Sequence, residues 1–221
     1  FTVASTMMPQ GVGATPIPPT MKVDGFNVPT EVIGARTFKP AYANRIVAPK
    51  DTRRGRAERL QPGMSCGGAM TEGGTIGAFF KDRKTSRRVL LSNWHVLIGS
   101  KGQLGGPAVQ PGKHDDDRTG ENTIGEVYRS HLGPAGDCAI ATVSGRSISN
   151  EPLGMKGVRI SSIGRPALND LVVKSGRTTK VTFGRVSRVG VNTKVQYGDE
   201  ITATIGGFEI VPDQKKRAPQ N

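Results

Sequence analysis

The 221-residue sequence predicts an all-β fold, and three observations support this prediction. Apolar runs of about four to eight residues recur along the chain with turn-forming residues between them, which is typical of β-barrels and β-sandwiches. No window of about 11 residues carries the apolar stripe of an amphipathic helix. The 30 glycines and 15 prolines are many for a helical protein and ordinary for a loop-rich β protein.

The composition and the hydrophobic pattern of the chain change at about residue 63. Residues 1–62 are rich in proline and basic residues and weakly periodic, which predicts an extended N-terminal arm or linker. One strand is possible within this arm, over VPTEVIG (28–34). Short apolar runs follow to about residue 205, which predicts a β-barrel or β-sandwich region, and the chain ends in a basic tail.

The predicted strands follow one another without a helix between them. GTIGAFF (74–80) and RVLLS (88–92) flank a charged turn and predict a hairpin, and a polar loop is predicted over 108–122. The remaining predicted strands are TIGEVYRSHL (123–132), DCAIATV (137–143), GVRISSIG (157–164), DLVVKSG (170–176), TFGRVSRVGVNTKVQY (182–197) and DEITATI (199–205). Another hairpin is predicted around Val191, Asn192 and Thr193.

The net charge of +13 suggests an acidic partner, either a nucleic acid or a membrane surface. The basic residues are dispersed, however, and aromatic residues make up only 5% of the chain, which is few for base stacking. No zinc-finger spacing or RNA-recognition signature occurs. A solvated basic surface is therefore favoured, and nucleic-acid binding stays open as a third function.

Two further features leave the location of the protein open. No apolar run reaches the roughly 18 residues of a membrane span. Cys66 and Cys138 are the only cysteines, and they could form one disulfide or be two small buried residues. The sequence therefore does not establish the redox compartment.

His95 and Asp137 are the candidate catalytic residues. Each lies at the edge of a predicted strand, His95 after RVLLS and Asp137 before CAIATV. A carboxylate at the head of an apolar strand is costly without a partner, and an imidazolium is such a partner. The aspartate could hold the ring in one tautomer while the other ring nitrogen accepts a proton. By spacing alone, a structural histidine and a turn-capping aspartate are the favoured explanation of the pattern.

The sequence motifs around these residues resemble those of trypsin-like, chymotrypsin-fold serine peptidases of a bacterial type. SNWHVL is similar to their histidine box and GDCAIATV to their aspartate box. The resemblance covers about residues 60 to 205, in the order of that group. The segments that carry the resemblance are PGMSCGG (62–68), GTIGAFFKDR (74–83), LLSNWHVL (90–97), VQPGKHDD (109–116), IGEVYR (124–129), DCAIA (137–141) and VVKSGRTTKVTFGRV (172–186).

The resemblance implies two antiparallel β-barrels, the first over 63–145 and the second, incomplete, over 146–221. It implies that His95 is the general base and Asp137 its orienting residue, that the substrate is a protein or peptide, and that no metal or organic cofactor is needed. Three residues depart from the group: Trp94 stands where a small or polar residue is usual, Cys138 where a small alanine-like residue is usual, and Lys180 at a glycine position.

The nucleophile that the resemblance implies is absent from this chain. Neither Gly-Asp-Ser-Gly nor Gly-x-Ser-x-Gly occurs. Ser175 looks most like a substitute, and the other serines considered are Ser65, Ser92 and Ser162. We expect instead that a C-terminal fragment after Asn221 supplies the serine, since DQKKRAPQN is predicted to be an exposed and cleavable loop. The alternative is a catalytically inactive binding or assembly module on the same fold.

Overall fold

The computed structural model describes residues 2–5, 20–23, 25–29, 31–34 and 52–213. These residues form sixteen strands and two four-residue helices, which confirms the all-β prediction. The strands are β1 (Thr2–Ser5), β2 (Thr20–Val23), β3 (Phe26–Pro29), β4 (Glu31–Gly34), β5 (Arg59–Leu60), β6 (Ser65–Gly68), β7 (Gly74–Thr75), β8 (Ala78–Lys81), β9 (Arg88–Ser92), β10 (Pro107–Val109), β11 (Thr123–Gly133), β12 (Gly136–Thr142), β13 (Ser147–Ile148), β14 (Leu171–Gly176), β15 (Lys180–Tyr197) and β16 (Ile201–Pro212). The helices are α1 (Trp94–Leu97) and α2 (Thr119–Asn122). Within the described part of the chain, no helix is long and apolar enough to cross a membrane.

The first sheet has seven antiparallel strands in the order β7-β6-β10-β11-β12-β9-β8. Its apolar side chains, together with those of α1, form one buried core. The core includes Leu60, Cys66, Ile76, Phe79, Leu90, Val96, Leu97, Ile124, Val127 and Ala141. Because β11, β12 and β9 are neighbours, the ends of β9 and β12 that carry the candidate residues lie side by side.

The second sheet is built on the antiparallel meander β14-β15-β16, with β1 and β4 added in parallel. Among the described residues this sheet is open, and large apolar side chains on it are exposed. They are Leu171, Val173, Val189, Phe208, Ile210 and Val211.

Three predicted elements differ from the structure. Residues 157–164 form no strand, and the hairpin predicted at Val191–Thr193 lies inside β15. The chain turns after Tyr197 instead, at Gly198 with φ of +63°. The loop predicted over 108–122 contains the end of β10 and all of α2. Alternation reports strand propensity, but a strand also needs a neighbour, and neighbours are set by contacts distant in sequence.

The predicted N-terminal arm is described only in part. The possible strand over 28–34 falls on two strands, of which β3 pairs with β2 and β4 pairs with β1. Residues 52–62 pack on the body of the protein, since β5 pairs with β13 and Leu60 is fully buried. The remainder of the arm, and the basic tail after Asp213, lie outside the described residues.

A buried ion pair joins the turn between β14 and β15 to the first sheet. The guanidinium of Arg177 donates to both carboxylate oxygens of Asp115, with 2.5 Å from Nε to Oδ2. Ser65 donates its hydroxyl to the same carboxylate at 2.5 Å, and the Arg177 N–H donates to the Thr75 hydroxyl at 3.0 Å. These contacts give Arg177 a structural role, since they tie the turn at 177–179 to residues of β6 and β7 and to Asp115.

Replacing Arg177 with alanine is expected to lower the free energy of unfolding by about 3–5 kcal/mol, because it leaves the carboxylate of Asp115 buried without its cation. Urea unfolding followed by circular dichroism measures this loss. Arg188→Ala on β15 is the matched control, since Arg188 pairs with Glu209 at the surface and such pairs contribute roughly 0–1 kcal/mol. Equal losses in the two variants would contradict a special role for Arg177.

Lys180 occupies a backbone conformation that favours glycine. Its φ is +56°, in the left-handed region where a Cβ costs about 1–2 kcal/mol. The residue begins β15 directly after the turn at 177–179. This conformation gives a physical reason for the glycine that the resembling group tends to have here, and lysine is accommodated with strain.

Candidate active site

His95 is placed by the junction between β9 and α1. Strand β9 ends at Ser92, and Asn93 has an extended backbone with φ of −83° and ψ of 156°. The short helix then buries Val96 and Leu97 in the core. The same helix leaves the side chains of Trp94 and His95 half-buried towards β12, where Asp137 lies.

The register of β12 against β9 places Asp137 beside the helix. Ala139 pairs with Ser92 in antiparallel register, so Asp137, two residues earlier on β12, is level with Trp94. The Oδ1 atom of Asp137 accepts the backbone N–H of Trp94 at 2.6 Å and that of His95 at 3.3 Å. The carboxylate therefore satisfies the first N–H groups of α1, which its own N-cap residue leaves without a side-chain acceptor.

The other carboxylate oxygen contacts the imidazole ring. The distance from His95 Nδ1 to Asp137 Oδ2 is 2.5 Å. The side chain of Asp137 is 10% exposed and that of His95 21% exposed. Since an ionised carboxylate only accepts hydrogen bonds, Nδ1 carries the proton, and Nε2 of the neutral ring is then the basic nitrogen.

The environment of Asp137 favours its charged form. Burial by itself would raise the pKa of this carboxyl group. The hydrogen bond from His95, the charge of its imidazolium, and the donors Tyr197 O–H and Trp94 N–H act in the opposite direction. Together they hold the pKa of Asp137 below its ordinary value. The aspartate is therefore ionised at neutral pH and available to orient the ring.

Tyr197 is a site residue that the sequence does not reveal. It ends β15 in the second sheet, is 4% exposed, and donates its hydroxyl to Asp137 Oδ2 at 3.0 Å. Its ring meets Trp94 edge-on, with ring centroids 5.7 Å apart at 77°, and lies 5.8 Å from the His95 ring. In the sequence it is the last apolar position of an alternating strand, and no local sequence motif links it to Asp137.

The ring of Trp94, one of the three departures, packs against the core and against Tyr197. Both cysteines are free thiols. Burial raises the pKa of Cys66 to about 12, and burial together with the charge of Asp137 raises the pKa of Cys138. Neither thiol is activated as a nucleophile.

The candidate substitute serines are engaged away from His95. The Ser175 hydroxyl donates to the carbonyl of Leu153 and accepts from Arg53, at 2.7 Å in both cases. Ser92 donates to the carbonyl of Thr75 at 2.8 Å. Ser65 donates to Asp115, as described above, and Ser162 is exposed in the segment 157–164. Among the described residues, the structure therefore does not bring one of these predicted substitutes to the imidazole.

The basic residues of β8, β9 and the turn between them form an exposed surface. They are Lys81, Arg83, Lys84, Arg87 and Arg88. Lys81 stands directly opposite Arg88 in the β8–β9 pairing, where like charges repel. This geometry favours solvated side chains.

Comparisons with known proteins found similarity to solved structures of proteases. No family model matches the chain, and no curated protein matches it. Among solved structures it is similar to protease A of Thermobifida fusca, with 18% identity, 67% of this chain and 68% of that chain covered, and a TM-score of 0.48. A Nocardiopsis protease is 17% identical, with 69% of this chain and 71% of that chain covered and a TM-score of 0.48. A glutamic-acid-specific serine protease is 21% identical, with 67% of this chain and 70% of that chain covered and a TM-score of 0.47. The matched structures are bacterial chymotrypsin-fold serine proteases, the group that the sequence resembles.

Proposed function

We propose that the protein is an endopeptidase of the Ser-His-Asp type, with His95 as general base and Asp137 as its orienting residue. The observation that supports this most is the 2.5 Å contact between Nδ1 and Oδ2, made by a carboxylate whose other oxygen is held by α1. The serine is supplied by a segment after Asn221, on the same polypeptide or as a separate C-terminal chain.

The proposed reaction uses each nitrogen of the ring differently. Asp137 keeps the proton on Nδ1, so that Nε2 takes the proton of the serine hydroxyl as the oxygen attacks the peptide carbonyl. The imidazolium formed is stabilised by the ionised carboxylate. It then gives its proton to the leaving amine, and water repeats the cycle on the acyl-enzyme. No step of this scheme requires a metal or an organic cofactor.

A serine-reactive phosphonate tests the proposal. In the polypeptide of the complete reading frame we expect one label per molecule, which peptide mass spectrometry locates on a serine after Asn221. The chain 1–221 serves as the control and should remain unlabelled, because it lacks the nucleophile. A complete polypeptide that stays unlabelled while folded would contradict the proposal and favour the inactive binding or assembly module.

A further inference from the structure

We propose that Tyr197 is a positioning residue that fixes Asp137 against His95 and makes the geometry of this pair depend on how the second sheet sits on the first. The consequence for turnover rests on the function proposed above. The consequence for the pair itself does not, because it concerns contacts within the described residues.

The hydroxyl of Tyr197 completes the set of donors around the carboxylate. A buried phenol needs a hydrogen-bond partner, and here that partner is the same Oδ2 atom that accepts from His95 Nδ1. Oδ1 is held by two N–H groups of α1. Because both oxygens are held, the carboxylate cannot rotate away from the ring without losing a donor.

The ring of Tyr197 contributes a second restraint. It lies beside the imidazole and meets the Trp94 ring edge-on, in the arrangement that aromatic pairs favour. Trp94 is the residue directly before His95 in α1. The tyrosine therefore contacts the helix that carries the base as well as the carboxylate that orients it.

The position of Tyr197 depends on the packing of the second sheet. Strand β16 continues from the turn after Tyr197 and passes over the turn between β11 and β12. At Gly206 the approach is so close that a Cβ atom would overlap the carbonyl oxygen of Pro134. Pro134 lies three positions before Asp137, so the same turn that carries the aspartate also supports the second sheet.

Nuclear magnetic resonance of the chain 1–221 with labelled histidine and aspartate tests the restraint. In Tyr197→Phe we expect the midpoint of Asp137 protonation to move to higher pH, because a donor that lowers its pKa is lost. We also expect faster solvent exchange of the Nδ1 proton of His95. Among the described residues, the titratable groups around Asp137 are His95, Tyr197, the neighbouring Cys138, and His131 opposite Cys138.

Two further variants make the result specific. Tyr128→Phe is the matched control, since the Tyr128 ring contacts Arg87 and Arg129 and phenylalanine keeps that ring. Gly206→Ala keeps the Tyr197 hydroxyl but displaces β16, and it is expected to change the His95 and Asp137 signals in the same direction. Signals in Tyr197→Phe that match those of Tyr128→Phe would overturn the inference.

Kinetics of the complete polypeptide separates this inference from the proposed function. Tyr197→Phe should lower kcat about tenfold with little change in KM, which is the effect of losing a hydrogen bond to a charged group. A kcat equal to that of the control would overturn the positioning role. If no variant hydrolyses peptides, the proposed function fails, and the resonance experiment still decides the role of Tyr197.

Discussion

Replacing His95 with alanine in the complete polypeptide is expected to reduce kcat for peptide hydrolysis on the order of a million-fold, the loss seen when a triad histidine is removed. The physical reason is that a serine hydroxyl is almost fully protonated at neutral pH and attacks slowly without a base. The effect should fall on kcat rather than on KM, because the imidazole acts in the transition state. Steady-state hydrolysis of a peptide substrate measures it.

His131→Ala is the control for this variant. His131 is exposed on β11 opposite Cys138, and its loss removes a histidine without removing a group of the His95–Asp137 pair. We expect its kcat to stay within about twofold of the unmodified protein, since surface substitutions of this kind have small effects. A loss of less than tenfold for His95→Ala would exclude a general-base role for this residue.

The contact of His95 with Asp137 could be anticipated because each residue lies in a short, recognisable sequence motif. A strand that ends at Ser92, directly before Asn-Trp-His, and a strand that begins with Gly-Asp-Cys-Ala fix the backbone on each side of the pair. The antiparallel register of β9 and β12 then determines that the two ends meet. The all-β fold could be predicted for a similar reason, because alternation and turn residues are local properties of the chain.

Other features depend on contacts that no local pattern records. Tyr197 reaches Asp137 from another sheet, 60 positions further along the chain, and the turn that places it was predicted several residues too early. Asp115 was assigned to a polar loop, yet it is buried because Arg177 neutralises it. Alternation and turn signals reveal neither pairing, since each forms only when the two sheets meet.

Asp137→Asn separates the orienting role from the fold more sharply than removal of the side chain. The amide keeps the shape of the carboxylate, and its oxygen can still accept the N–H groups of Trp94 and His95. Its NH₂ group then faces Nδ1 and Tyr197, where the carboxylate accepted hydrogen bonds. The ring is forced to carry its proton on Nε2, so that the nitrogen facing the serine donates instead of accepting.

We expect this variant to lose about 10⁴-fold in kcat, as when a buried triad aspartate becomes asparagine. Asp170→Asn is the matched control, because Asp170 also accepts a backbone N–H, from Ala167 at 2.8 Å, but at an exposed turn. Its kcat should be unchanged. The tautomer of the ring adds a second criterion: the Nδ1 proton signal that the ionised Asp137 maintains should be missing in Asp137→Asn wherever the His95 ring is neutral. If kcat falls less than tenfold while that signal is lost, Asp137 orients the ring without being needed for turnover, and the proposed triad is wrong.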